Sequence, residues 1–357
     1  MGRFLIVRRL SFLIRAVSSA GLVFAASLAV GSCSRSPATP TPAPPPPPDP
    51  LTVTCPEPVS QLSSNGLPVA VRYGTPIAAG GTPPVQVTCM PASDTTFQIG
   101  TTPVTCTATD TKNVTGECTF MVTVTAPPQL SLSRFVAFGD SLTAGEITVQ
   151  GEGGIRTLTV RDDLSYPTDL RLSVAGRYTA QSILVVNSGV KGELTGAGLA
   201  RISSVLAGQY QVLLLMEGAN DLNNTNASTR DRALGNIRAM VRLARGRGLR
   251  VELGTLPPQN PLACCPRRGN GDVLLPSYND GIRAIAAAEG ATLVDVFAAF
   301  NGDVTTLIGP DGLHPTAAGY ATIAGAFFKE IKATLEVPPT SVRPSMGAPF
   351  FVRPRKR

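Results

Sequence analysis

The sequence has few of the residues on which many functional sites depend. Its 357 residues include no tryptophan, one histidine and only 5% aromatic residues. The lack of tryptophan disfavours a groove that binds polysaccharide by ring stacking. With one histidine, no Cys-x-x-Cys pair and no clustered acids, we expect no zinc or other metal site and no cofactor. The stretch "GEGG" at 151–154 lacks the Gly-Lys pair of a phosphate-binding loop and follows no predicted strand.

The net positive charge comes from the two ends of the chain. The formal net charge is +7, and residues 1–32 and 336–357 each contribute +4, so the body between them is close to neutral. A near-neutral body argues against a broad phosphate-binding surface, and we predict no nucleic-acid partner. The length is too great for one ordinary domain and suits two.

The N-terminus reads as an export signal. Residues 1–32 begin with arginines and continue, over 16–32, as an apolar stretch of small residues that is short for a membrane span. The sequence "VGSC" at 30–33 resembles the bacterial lipobox, which implies lipid attachment to Cys33 and an exported membrane lipoprotein. An uncleaved membrane anchor and an ordinary cleaved signal are the alternatives. By the same resemblance, Ser34 after the cysteine suggests the outer membrane.

Residues 33–50 are a proline-rich linker, with "PATPTPAPPPPPDP" at 37–50. Proline removes a backbone donor and fixes φ, so this stretch favours an extended polyproline spacer. Residues 336–357 form a second, basic tail that also contains prolines.

Residues 51–126 have the pattern of a small immunoglobulin-like β-sandwich. Valine and threonine alternate, and Gly and Pro turns separate short runs. The segment contains four cysteines: Cys55, Cys89, Cys106 and Cys118. Four cysteines in an exported domain of this size imply two disulfides, and three pairings are possible. The two remaining cysteines, Cys264 and Cys265, form a vicinal pair that is either oxidised or free.

The stretch "FQIGTTPVTCTATDTKNVTGECTFMVTV" at 97–124 resembles the hyalin repeat, an immunoglobulin-like module of extracellular proteins. That family usually has Gly-Asn after the aspartate, whereas this chain has Asn113-Val114. Asparagine tolerates a left-handed backbone better than most residues, so we expect the turn to be kept. The resemblance implies a spacer or adhesion module without catalytic residues.

From residue 127 to 335, apolar runs alternate with helical patterns. We predict strands at 134–138, 183–187, 212–216, 250–256 and 292–297, and helices that include 167–177, 197–206, 228–247, 277–289 and 316–334. Continuous apolar strands are typical of a parallel sheet that is buried on both faces, which predicts a three-layer α/β/α domain. In such domains sites form at the carboxyl ends of the strands.

Four polar stretches each follow a predicted strand. They are "AFGDSLTAGE" at 137–146, "NSGVKGE" at 187–193, "EGAND" at 217–221 and "DGLHP" at 311–315. A serine after one strand is more often a polar strand end than a nucleophile. Four such stretches on one sheet edge favour a catalytic site.

The set resembles the SGNH, or GDSL, hydrolases, whose fold is flavodoxin-like and whose name lists one residue from each block. The matching residues are Ser141, Gly192, Asn220 and His314. The second block is the loosest match, and Gly189 is the alternative glycine. The resemblance implies a serine esterase or lipase that acts on a small ester or acylated substrate. Lipid, aryl, acetylated carbohydrate and thioester substrates stay open, as does the oligomeric state.

The chemistry needs these residue types. Ser141 must lose its proton as it attacks, and His314 is the only histidine that could accept it. Asp311 would orient the ring, and an oxyanion would bind the N–H groups of Ser141 and Gly192 and the amide of Asn220. The neighbouring Asp140 and Asp221 are interpreted as acids that shape the loops. The rival interpretation is a surface adhesion or carbohydrate-binding lipoprotein with a vestigial hydrolase domain.

Overall fold

The computed structural model describes residues 49–150, 156–223, 226–262 and 271–337. Several predictions fall outside these ranges: the signal at 1–32, Cys33, the linker up to residue 48, Cys264, Cys265 and the tail from residue 338. No helix within the described ranges is long and apolar enough to cross a membrane.

The N-terminal module consists of short strands that pack around a small core. The strands are β1 (Thr52–Thr54), β2 (Val59–Leu62), β3 (Val69–Val71), β4 (Ile77–Ala79), β5 (Gln86–Met90), β6 (Thr95–Phe97), β7 (Gly100–Thr109) and β8 (Thr115–Thr125). One sheet has the order β2-β8-β7-β5, and β3 pairs with β6. Val71 and Phe97 from the smaller sheet pack with Val104, Phe120 and Val122 from the larger one, which gives a sandwich.

Two disulfides join the strands of this module. Cys55 bonds to Cys118, and Cys89 bonds to Cys106. The pairing selects one of the three connectivities that the sequence left open. The β5–β7 register places Cys89 directly opposite Cys106, a neighbour relation that cysteine spacing alone does not reveal.

The turn between β7 and β8 keeps the expected left-handed residue. Asn113 has φ +61° and donates its backbone N–H to the Asp110 carbonyl. The Asp110 carboxylate accepts the N–H groups of Lys112, Val114 and Thr82. Asparagine therefore fills the position that glycine usually takes, because the aspartate carboxylate supplies the remaining hydrogen bonds.

The C-terminal domain is built on a parallel five-stranded sheet. The nine described strands of the whole domain are β9 (Gln129–Leu130), β10 (Arg134–Gly139), β11 (Glu146–Gln150), β12 (Arg156–Val160), β13 (Leu184–Gly189), β14 (Val212–Met216), β15 (Arg250–Gly254), β16 (Thr292–Val294) and β17 (Glu336–Val337). The sheet order is β13-β10-β14-β15-β16 with every neighbour parallel. This is the flavodoxin-like order, with its switch point beside β10.

Helices cover both faces of the sheet. They are α1 (Ser141–Ala144), α2 (Tyr166–Arg177), α3 (Thr195–Val205), α4 (Ala219–Leu222), α5 (Ala227–Gly246), α6 (Gly271–Glu289), α7 (Val296–Ala299) and α8 (Ala317–Leu335). Helices α2, α7 and α8 form one layer, and α3, α5 and α6 form the other. The predicted three-layer α/β/α fold is confirmed.

Some predicted boundaries are wrong for a local reason. The run at 292–297 is not one strand, because the Asp295 side chain accepts the N–H of Ala298 and caps α7. The run at 250–256 leaves the sheet after Gly254. The antiparallel hairpin of β11 and β12 was not predicted.

The two ends of the domain are joined at its edge. Glu336 in β17 lies opposite Leu130 in β9, one residue beyond the predicted end of the domain. Its carboxylate accepts hydrogen bonds from the Arg177 guanidinium at 2.7 and 2.9 Å and from the Tyr178 hydroxyl at 2.8 Å. The Arg177 hydrogen bonds lower the pKa of Glu336 to about 2. The carboxylate is therefore charged at neutral pH.

Candidate active site

The turn after β10 carries Ser141. The Asp140 side chain accepts the N–H of Leu142 at 3.0 Å, which caps α1 and places Ser141 at its first residue. Gly139 allows β14 to approach, since a Cβ there would lie 1.9 Å from the carbonyl oxygen of Met216. Ser141 is only 2% exposed. The chain therefore presents the hydroxyl at the carboxyl edge of the sheet, as expected from the sequence.

His314 and Asp311 meet Ser141 at this edge. The imidazole Nε2 lies 2.8 Å from Ser141 Oγ, and Nδ1 lies 2.6 Å from Asp311 Oδ2. Asp311 Oδ1 accepts the N–H groups of Leu313 and His314, so the "DGLH" loop closes on its own carboxylate. Burial opposes the charged form of Asp311, but the His314 ring and these two N–H groups outweigh it and lower its pKa. The structure thus brings the three predicted side chains into one hydrogen-bonded chain.

Asn220 lies on the same edge, in α4. Its side-chain Nδ2 donates to the Glu193 carbonyl at 3.0 Å, which leaves the second amide hydrogen available. Asp140 Oδ2 accepts the N–H groups of Gly218 and Ala219, just before Asn220. Asp140 therefore joins the Asn220 turn to the Ser141 turn.

The two candidate glycines occupy different environments. Gly192 has φ +74° in the exposed turn after β13, and open space surrounds the position of a Cβ. Gly189 donates its N–H to Asn187 Oδ1 at 3.0 Å, so this group is already bonded. A Cβ on Gly189 would lie 2.2 Å from the backbone nitrogen of Ala144. Gly189 therefore allows close packing against α1. Of the two glycines, Gly192 is the one whose backbone N–H has no hydrogen-bond partner among the described residues.

An arginine that no sequence motif revealed holds the stretch "NSGVKGE" at 187–193 in place. Arg201 on α3 makes two 2.6 Å hydrogen bonds to the Glu193 carboxylate. It also donates to the Ser188 carbonyl at 2.9 Å and to the Gly139 carbonyl at 3.3 Å. The guanidinium carbon lies 3.9 Å from the centre of the Phe138 ring. Glu193 is thus the anchor of the Gly192 loop.

Two further acids near the site were also missed. Glu146, at the end of the "AFGDSLTAGE" stretch, places Oε2 at 3.1 Å from His314 Nε2 and Oε1 at 3.2 Å from Lys191 Nζ. Glu217, the residue directly after β14, has no hydrogen-bond partner for either carboxyl oxygen among the described residues. Burial, followed by the negative charge of Asp140, raises the pKa of Glu217 to about 9. Glu217 is therefore protonated at neutral pH.

The arrangement can support nucleophilic attack. A hydroxyl that is hydrogen-bonded to a buried imidazole, which is itself bonded to a carboxylate, can lose its proton as it attacks a carbonyl. Among the described residues, no group of three or more His, Cys, Asp or Glu side chains is arranged to hold a metal ion.

Family models match both parts of the chain. The model described as the GDSL-like lipase/acylhydrolase family matches residues 137–322, and the HYR domain model matches residues 46–124. Esterase TesA of Pseudomonas aeruginosa is 28% identical over 152 residues, which covers 42% of this chain and 71% of that protein.

Solved structures with similar folds include a lipase/acylhydrolase from Enterococcus faecalis, with 24% identity and a TM-score of 0.48. It covers 58% of this chain and 100% of its own. An acetylxylan esterase from Geobacillus stearothermophilus has 23% identity and a TM-score of 0.44, and it covers 56% of this chain and 94% of its own.

The close packing of Gly189 on α1 predicts a strong effect of Gly189→Ala. The added Cβ must displace the short helix that carries Ser141, and small misplacements of a reacting group are costly. We expect kcat on p-nitrophenyl acetate to fall by at least about 10-fold, on the order of 10² for a shift near 1 Å. Gly176→Ala is the matched control, because nothing lies within 4 Å of its Cβ position. If Gly189→Ala kept the wild-type kcat and Tm, the prediction would be wrong, because α1 could then shift to accommodate the added Cβ without cost.

The protonated state of Glu217 predicts a pH-dependent stability. Its pKa rises from 4.5 to about 9 on folding. The free energy of unfolding is therefore unaffected by Glu217 below about pH 4.5 and falls as the pH rises from there toward 9, because the unfolded chain loses the proton that the folded chain keeps. Glu217→Gln should remove this loss, so its advantage over the wild type should grow with pH by at most about 1.4 kcal/mol per unit. Urea unfolding at pH 5, 7 and 9 measures the difference, with the exposed Asp272→Asn as control. A pH-independent difference would mean that Glu217 is not neutral in the fold.

Proposed function

The chain belongs to the GDSL-like lipase/acylhydrolase family, and on that premise we propose that it cleaves carboxylic esters with Ser141 as nucleophile, His314 as general base and Asp311 as orienting acid. The observation that carries the proposal is the 2.8 Å contact between Ser141 Oγ and His314 Nε2. The 2.6 Å contact of Nδ1 with Asp311 Oδ2 supports the assignment of the base, because it leaves Nε2 free to accept a proton.

In the first half of the reaction Ser141 Oγ attacks the ester carbonyl carbon, and its proton moves to His314 Nε2. Collapse of the tetrahedral intermediate breaks the bond to the leaving alcohol, whose oxygen takes that proton. In the second half a water gives its proton to Nε2 and attacks the acyl-serine, and Ser141 recovers the proton as the acid departs. Asp311 stabilises the charged ring at each stage, and its lowered pKa keeps it ionised throughout.

The oxyanion would bind three donors on the same edge. These are the backbone N–H groups of Ser141 and Gly192 and the free amide hydrogen of Asn220. The Asn220 bond to the Glu193 carbonyl orients the amide, and the Arg201 contacts hold the loop that contains Gly192. Donors that are fixed before the reaction cost no reorganisation when charge develops.

We further propose that the substrate is a small ester or acylated molecule and that the enzyme works at the cell envelope, held by a lipid on Cys33. The sequence "VGSC" at 30–33 and the apolar stretch before it support the anchor. The proline-rich residues 37–50 would then act as a spacer between the membrane and the HYR module.

Substitutions at the site test the catalytic assignment. Ser141→Ala and His314→Ala should abolish turnover of p-nitrophenyl acetate to similar extents, because members of one catalytic unit fail together. Asn220→Ala should lower kcat by on the order of 10²–10³ with the fold intact. Ser204→Ala, an exposed serine on α3, is the control. A folded Ser141→Ala enzyme with wild-type turnover would refute the proposal and favour an adhesion protein with a vestigial domain.

The anchor has a separate test. Cys33→Ser should move the protein out of the membrane fraction or leave the signal uncut, because no sulfur remains to carry lipid. Incorporation of labelled fatty acid and cell fractionation measure the change, with Cys264→Ser as the matched cysteine control. Unaltered labelling and membrane attachment in Cys33→Ser would exclude the lipobox interpretation.

A further inference from the structure

The imidazole of His314 lies between two carboxylates. Asp311 Oδ2 is 2.6 Å from Nδ1, and Glu146 Oε2 is 3.1 Å from Nε2, the nitrogen that also contacts Ser141 Oγ. A neutral ring has one N–H, and the contact with Asp311 places it on Nδ1. The lone pair of Nε2 then faces an oxygen of Glu146. The contact between Nε2 and Glu146 becomes attractive only when a proton lies between them.

Glu146 is fixed in this position by the fold. It follows Gly145, whose left-handed φ of +87° ends α1, and it begins the β11–β12 hairpin. The residue is 5% exposed, and its backbone carbonyl accepts the Tyr320 hydroxyl at 2.7 Å. A Cβ on Gly145 would lie 2.6 Å from Ser165 Cβ, so the chain here has little room to move. The fold therefore holds the Glu146 carboxylate in place beside His314.

The other groups that face this pair set its electrostatics. Lys191 Nζ lies 3.2 Å from Glu146 Oε1, and the lysine side chain is 62% exposed. On the other side are the carboxylates of Asp311 and Asp140, the second of which interacts with the His314 charge. The Tyr320 hydroxyl stays neutral because burial raises its pKa. Two carboxylates thus contact the ring, and a solvent-screened lysine offsets only part of the charge of Glu146.

We propose that Glu146 is a positioning residue that holds the proton on His314 Nε2 and thereby sets the lower pH limit of ester hydrolysis. The inference rests on the proposed function. During turnover the proton that leaves Ser141 lies on His314 Nε2. Two acceptors are then close to it: the leaving-group oxygen, which must take the proton, and Glu146 Oε2. At low pH the proton comes from solvent instead. It then bridges Nε2 and Glu146, and Ser141 has no base.

The charge of Glu146, rather than its shape, carries this effect. Glu146→Gln keeps the size of the side chain and an acceptor oxygen but removes the negative charge, so it should make the protonated ring less favourable. Lys191→Met removes the only cation paired with Glu146 among the described residues, so it should have the opposite sign. Because Lys191 acts through Glu146, its removal should change little once Glu146 is neutral.

The pH midpoint of kcat/KM on p-nitrophenyl acetate tests these statements. We expect Glu146→Gln to lower the midpoint by about 1 unit, the lower end of the effect of one nearby opposite charge, because Lys191 already offsets part of the charge of Glu146. Lys191→Met should raise it by a smaller amount, and the double variant should match Glu146→Gln. Glu146→Asp, with the charge withdrawn by one methylene, should lie between the wild type and Glu146→Gln. Glu289→Gln removes a carboxylate paired with Arg242, away from the site, and should leave the midpoint unchanged.

A second readout does not need turnover. His314 is the only histidine of the chain, so its ring gives one resolved NMR titration in the full protein. The midpoint of that titration should move with the same sign and size as the activity midpoint. The Ser141→Ala variant can be titrated in the same way, which separates the effect of Glu146 from catalysis.

The outcomes distinguish the two proposals. If both midpoints stay within about 0.2 units in folded Glu146→Gln while Ser141→Ala is inactive, the role of Glu146 is wrong and the esterase mechanism stands. If Ser141→Ala remains active, the mechanism itself is wrong. A loss of kcat at high pH without a shift of either midpoint would also overturn the inference, since it would show a purely structural role.

Discussion

One buried carboxylate determines how the site is assembled. Asp140 is fully buried, and it accepts three backbone hydrogen bonds, from Leu142, Gly218 and Ala219. The turn that carries Ser141 and the turn that leads to Asn220 therefore share one anchor. Burial raises the pKa of Asp140 to about 6, and the three N–H groups oppose that rise. Without this residue, two loops from neighbouring strands would have no common anchor, and the distance between Ser141 and Asn220 would not be set.

The sequence predicted much of this because the relevant signals are local. Continuous apolar runs marked the five strands, and parallel strands end at one edge, so the stretches that directly follow β10, β13 and β14 were placed near one another. The "DGLH" loop returns to this edge only after α7, which the sequence did not show. The expected left-handed turn at Asn113 is present for the same reason, since Asp110 supplies its hydrogen bonds within a few residues. At 292–297 the prediction was wrong because of one side chain: Asp295 caps α7 and divides an apolar run into a strand and a short helix.

The residues that the sequence did not reveal depend on contacts between distant segments. Arg201 reaches a carbonyl of β10 that is 62 positions away, and no motif marks it in advance. Glu146 touches His314 only because the chain turns at Gly145 and the "DGLH" loop returns to the same edge. The disulfide pairing follows strand register, which cysteine spacing does not encode. A charged residue directly after an apolar strand, as at Glu217 after β14, is the one signal in the sequence that could have pointed to these residues.

The site holds more buried acids than its single imidazole needs, and the fold stabilises each in a different way. Backbone N–H groups surround Asp140, an ion pair with Arg201 compensates Glu193, and Glu217 keeps its proton. The carboxylates of Asp311 and Glu146, which contact the His314 ring, leave a negative potential at this point. In the proposed mechanism, this potential opposes the negative charge that develops on the oxygen of the tetrahedral intermediate. Neutral dipoles must therefore balance it there, which is the role we propose for the Asn220 amide, already oriented by its bond to the Glu193 carbonyl.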